Sequence, residues 1–124
     1  MNPTTLNGIE LPATDLNAAK TFYEKHFGWA FTDYGSTYSA ARVSGVEVGL
    51  NTEASVSVAQ PDGAESSNGP LLLMQTDDLD AVHDALSRNG AVIVTRPFGF
   101  PGGSRFHFRD PSGNVLAIYE LTSS

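Results

Sequence analysis

The chain has 124 residues, room for one domain with a genuine core, and its 14 Asp and Glu against 7 Lys and Arg leave a formal net charge of −7. That acidity argues against a binder of phosphate backbones, and the absence of Cys excludes a disulfide framework, a thiolate metal site and a cysteine nucleophile. No apolar run reaches membrane-spanning length and Met1-Asn2-Pro3-Thr4-Thr5 lacks a signal-like basic start, so cytoplasm is the expected compartment, with neither membrane nor nucleic acid as partner.

Gly8-Ile9-Glu10-Leu11 opens the chain as a short strand. Asp15 follows as a helix N-cap, because its short side chain can accept a first-turn N–H. Leu16, Ala19, Phe22, Tyr23 and Phe27 then make an apolar face at helical spacing, and Gly28 supplies the stop. Three β-prone runs come next: Trp29 to Tyr34, Thr37 to Val43 and Val46 to Leu50. The stretch from Gln60 to Gly69, rich in Gly, Ser, Asp and Pro, reads as a connecting loop.

The same order then repeats. Leu71-Leu72-Leu73-Met74 is strand-like, and Asp78-Leu79-Asp80-Ala81 echoes Asp15-Leu16-Asn17-Ala18 as a second helix start. Leu79, Val82, Ala85 and Leu86 form its apolar face, Gly90 its stop, and its acidic first turn and Arg88 suit the helix dipole. Val92 to Arg96, Arg105 to Arg109 and Val115 to Leu121 are further strands, the last two joined by the turn Asp110-Pro111-Ser112-Gly113-Asn114. The expectation is an α+β protein: one domain over residues 1–124 whose halves, about 5–52 and 70–122, are βαβββ modules. Strand alternation places Ile9 and Leu11 under the first helix with Gly8 and Glu10 facing away. It likewise turns Phe106 and Phe108 to the core and Arg105, His107 and Arg109 to the opposite face.

Glu10-Leu11-Pro12-Ala13-Thr14-Asp15-Leu16, with Ala19-Lys20-Thr21-Phe22-Tyr23 and Phe27-Gly28-Trp29, resembles the first strand and helix of the vicinal-oxygen-chelate superfamily, which includes glyoxalases, bleomycin-resistance proteins and dioxygenases. Phe106-His107-Phe108-Arg109-Asp110-Pro111-Ser112-Gly113-Asn114 is similar to the turn before the last strand of that family. The resemblance spans about residues 6 to 121. It implies a half-barrel cleft with the helices outside, and a homodimer, since members often complete the cleft with a second chain. Four strands of the family usually each give one His, Gln or Glu to a divalent metal. Here Gly8 stands seven residues before Asp15, Leu71 seven before Asp78, and Ala117 seven after Asp110; the fourth position falls near Val48 or Gly49. None of these side chains can ligate a cation, and Glu47 alone would not make a site. Neither a metal nor another cofactor is expected.

The loss of ligands points to a metal-free small-molecule-binding protein, expected to sequester an antibiotic or aromatic metabolite, with a glyoxalase-type lyase or isomerase as the alternative. The expected lining is Glu10, Tyr38, Leu71, Leu73, Phe98, Phe100, Arg105, His107, Ala117 and Tyr119. Glu10 is a candidate base or amine acceptor, or else the salt-bridge partner of Arg105. His107 lies where relatives acting on fosfomycin place a ligand-contacting side chain, and could carry a proton or simply be satisfied by a neighbouring strand. Arg105 suits a carboxylate or phosphate. Pro97-Phe98-Gly99-Phe100-Pro101-Gly102-Gly103 is expected to form a flap over the cleft, the alternative being an ordinary hairpin. His26 and His83 are expected on the solvated surface.

Overall fold

In the computed structural model, which describes residues 4–53 and 70–122, the chain divides into two compact units, Met1–Val56 and Ser57–Ser124. The stretch expected to join the halves lies outside the described residues. No helix among those described is long and apolar enough to cross a membrane.

The first unit runs β1 (Gly8–Pro12), α1 (Leu16–Phe27), β2 (Phe31–Asp33), β3 (Tyr38–Val43) and β4 (Val46–Asn51). Its strands form one sheet in the order β1-β4-β3-β2. β1 is parallel to β4, and the other pairs are antiparallel. Asp15 caps α1 by accepting from the Ala18 N–H at 3.0 Å, and Gly28 ends it at a left-handed φ of 70°. Ser44 and Gly45, both at positive φ, join β3 to β4 in two residues, the geometry whose twist matches a hairpin. The core is the covered sheet face, where Leu11, Ala41, Val48 and Leu50 are buried with Ala19 and Tyr23 of α1. Trp29 stacks flat on Tyr23, ring centroids 4.6 Å apart. Lys20 reaches from α1 to Asp33 on β2 at 2.8 Å, and the Ser39 hydroxyl donates to the same carboxylate. Both contacts hold the Asp33 carboxyl below its usual range, Lys20 contributing most.

The second unit repeats the plan as β5 (Leu72–Gln75), α2 (Leu79–Arg88), β6 (Val92–Phe100), β7 (Gly103–Arg109) and β8 (Val115–Leu121), with strand order β5-β8-β7-β6. Asp78 caps α2 through the Ala81 N–H at 3.1 Å. Glu120 of β8 adds a second cap by accepting from the Leu79 N–H at 2.7 Å, satisfying two of the donors a helix start leaves over. Phe106, Phe108, Leu116, Ile118 and Leu86 are fully buried between helix and sheet. The two βαβββ modules are therefore present as the repeat predicts, and the fold is α+β.

Three expectations need correction. The residues expected to form a flap belong to β6, which continues to Phe100 and pairs Phe98 with Arg105 and Phe100 with Gly103. Register shifts between Ile93 and Thr95 and between Thr95 and Phe98 make room for Pro97. β6 is also an edge strand, where a missing N–H breaks no ladder. The histidines of the helices are half-buried rather than freely solvated. His26 packs on the rings of Phe22 and Phe27, and His83 meets Phe106 edge-on at 5.1 Å. Leu71 precedes β5 rather than lying in it.

Candidate functional site

A helix covers one face of each sheet, so chemistry must be read on the other. Direct cross-strand partners share a face. In the first unit that face carries Gly8, Glu10 and Pro12 of β1, Glu47, Gly49 and Asn51 of β4, and Tyr38, Ala40 and Arg42 of β3. The register resolves the position left between Val48 and Gly49. Val48 turns to the core, and Gly49 lies between Glu10 on one side and Ala40 on the other.

The ring of Tyr38 crosses the bare backbone of Gly49, filling the volume a Cβ there would need. It thereby reaches Glu10, to which its hydroxyl donates. The Asn51 side-chain amide donates to the same carboxylate at 3.2 Å. Burial above all, and then the negative charge of Glu10, push the Tyr38 phenol up from its ordinary value. Glu10 thus finds hydrogen-bond partners on its own sheet, and Tyr38 and Asn51 hold it as an acceptor.

The corresponding face of the second unit carries two cross-strand rows. One runs Leu73, Ala117, His107, Thr95 and the next Gln75, Tyr119, Arg105, Phe98. In the first row His107 and Ala117 are buried, whereas Leu73 at the sheet edge is 49% exposed. Phe98 meets the His107 ring edge-on at 5.7 Å. Burial lowers the His107 pKa from its ordinary value, so the imidazole is neutral at neutral pH and brings no charge.

The second row is the more accessible. The Arg105 guanidinium carbon stands 5.4 Å from the centre of the Phe98 ring and 6.0 Å from that of Phe100. The two Phe residues alternate on β6, so their rings project from one face and hold the cation between strands. Arg105 Nε is buried with no acceptor among the described residues. Tyr119 lies across from Arg105 on β8, and its hydroxyl donates to Gln75 at 3.4 Å. Arg109, farther along, donates to the Gly113 carbonyl at 3.3 Å and so belongs to the turn.

Of the ten residues expected to line a site, the structure places Glu10 and Tyr38 in contact in the first unit. It gathers Phe98, Phe100, Arg105, His107 and Tyr119 in the second, with Ala117 opposite His107 and Leu73 beside Ala117. Leu71 is half-buried ahead of the sheet. Asn51 and Gln75 were missed. For Gln75 the signal was parity, since it lies two residues beyond Leu73; for Asn51 there was none while the face of Gly49 stood open.

A resident divalent metal does not fit these side chains. Gly8 and Ala117, which the resemblance aligns with ligand positions, offer no donor, and among the described residues no three of His, Cys, Asp and Glu gather.

Residues 5–118 match the model of the "Glyoxalase/Bleomycin resistance protein/Dioxygenase superfamily". The Mycobacterium bovis protein CFP32 is 32% identical over 94% of this chain, which spans only 45% of that protein's length. Among solved structures, TnmS3, "an antibiotic binding protein" from Streptomyces sp. CB03234, superposes with a TM-score of 0.66 at 24% identity, covering 98% of this chain and 99% of its own. A lactoylglutathione lyase from Agrobacterium tumefaciens superposes at 0.70 and 19% identity, covering 97% and 96%. At such identities the two structures speak for the fold alone.

Proposed function

The chain belongs to the glyoxalase/bleomycin resistance protein/dioxygenase superfamily, and from that premise we propose that it binds a small aromatic molecule without a resident metal, holding it rather than converting it. The observation that carries this reading is the row Phe98–Arg105–Tyr119, two aromatic flanks about one cation on a sheet face that no helix of its unit covers. Apolar and aromatic side chains with a few fixed polar groups are what line small-molecule sites. The fold is shared by an antibiotic-binding protein and by a lyase, so side chains must decide between the readings. The lyase chemistry draws on a metal to polarise a substrate oxygen, and the donor set here does not support one.

A thermal-shift screen of the purified protein against polyaromatic antibiotics, glutathione thioadducts and divalent metals tests this reading. It expects aromatic compounds alone to raise the melting temperature. A stoichiometric nickel, zinc or iron requirement for that shift overturns it.

The second reading is an acid–base enzyme, favoured by one observation: Glu10 and Tyr38 form a hydrogen-bonded carboxylate–phenol pair. Glu10→Gln and His107→Ala would each cut turnover of a hemithioacetal by orders of magnitude if that reading held. On the binding reading there is no turnover to lose. We also propose a homodimer, since each sheet ends in edge strands without a partner in its own unit; sedimentation at micromolar concentration checks it.

A further inference from the structure

Arg105 is set apart by what surrounds it on its sheet. In a chain with twice as many acidic as basic residues, the register-assigned residues of this face, from Leu73 and Gln75 through Val115, Ala117, Tyr119 and Leu121 to Val92, Thr95, Phe98 and Phe100, include no Asp or Glu. The nearest carboxylate of β8, Glu120, points to the other side and caps α2. The guanidinium is therefore half-desolvated by two Phe rings, with Nε buried and no acceptor within reach among the described residues.

Two effects compete in such an arrangement. Ring contact stabilises the cation over its flat faces, but it leaves the in-plane N–H donors to be satisfied at the edge, and a buried donor without an acceptor is destabilising. An aromatic anion arriving edge-on accepts from the guanidinium fork while its ring extends along Phe98 and Phe100. We infer that Arg105 is the anion handle of this site and that the ligand is an aromatic acid, its carboxylate or phosphate meeting the Arg105 fork. The inference deepens the binding reading above and rests on it. It also runs against the protein's overall charge, so the favoured ligand is anionic although the chain is acidic.

The test measures binding of benzoate, 2-naphthoate and 9-anthroate, each beside its neutral carboxamide, by isothermal titration. A further arm uses 2-naphthyl phosphate, to distinguish the two kinds of anion, and inorganic phosphate, to test charge without a ring. The expected result is that at least one aromatic anion binds about tenfold or more tightly than its amide, the gain of one charge-assisted contact. Arg105→Gln should erase that preference, while Phe98→Leu should weaken acid and amide by similar factors. Amides binding as well as acids would overturn the anion handle yet leave the binding reading standing. Failure of every acid and every amide would overturn both. Equal loss of acid and amide binding in Arg105→Gln would also reject the handle, by showing that the side chain only props the rings.

Discussion

Tyr38 lies across the backbone of Gly49, and its hydroxyl occupies the place of the side chain that Gly49 lacks. The absence of a Cβ is what lets the phenol reach Glu10 from two strands away. Gly49→Ala must therefore push the Tyr38 ring off the sheet. The expected cost is about 0.5–1.5 kcal/mol, the loss of the Tyr38–Glu10 hydrogen bond as the half-exposed ring swings aside, read as a lower urea midpoint at unchanged m-value. Tyr38→Ala in the same chain should relieve most of that additional cost, so the double variant should be more stable than the sum of the singles implies.

Asp110 closes the turn between β7 and β8. It is buried and accepts from the Ser112 N–H, the Asn114 N–H and the Asn114 side-chain amide, each at 2.9 Å. Asp110→Ala strands these donors, and the expected loss is about 2–4 kcal/mol by equilibrium unfolding. Asp110→Asn keeps one acceptor oxygen and should lose less. Equal losses would show that backbone geometry alone holds the turn.

Both helix caps, the inward turn of Phe106 and Phe108, and the Asp110 turn were legible in the sequence because each rests on local chemistry or on strict alternation. What escaped depends on neighbours distant in sequence. Pro97, Gly99 and Pro101 read as loop, yet an edge strand with two register shifts accommodates the first of them within β6. The placement of β4 could not be resolved between Val48 and Gly49, since slipping by one residue exchanges the faces; only pairing with β1 shows Glu10 opposite Gly49. His26 and His83 looked like surface residues because a helix edge reveals nothing of the rings that pack against it. For the candidate site, parity located the faces of Glu10, Arg105 and His107 but not their partners. Asn51 at Glu10 and the Phe98 and Phe100 rings at Arg105 are cross-strand facts.

The donor set predicts indifference to metals. Treatment with EDTA, or addition of equimolar nickel or zinc, should leave the melting temperature unchanged within error, because no three ligating side chains gather among the described residues. Binding that stabilised the fold by a bound ion at a hundred times its Kd would raise stability by about 2.7 kcal/mol and be readily seen. Such a rise, abolished by Glu47→Gln or Glu10→Gln, would place a cation on the first sheet and reject this view.

His107 makes acid sensitivity a further prediction. Burial lowers its pKa below the ordinary 6.5, so the unfolded chain binds a proton more readily than the folded one. Stability is then fully present above about pH 6.5 and is lost as pH falls from there toward the lower folded pKa. His26 shifts in the same direction, by burial first and then Lys25, so wild type alone cannot separate the two. Asp33 does not interfere: its pKa is lowered from 3.8, and its contribution fades only below that value. Melting temperatures between pH 7.5 and 5 should fall for wild type, and less steeply for His107→Gln once each is referred to its own value at pH 7.5. A His26→Gln variant should flatten the remainder. An unchanged slope in His107→Gln would mean that the imidazole is as easily protonated folded as unfolded, and its place between Phe98 and Ala117 would then have to admit water.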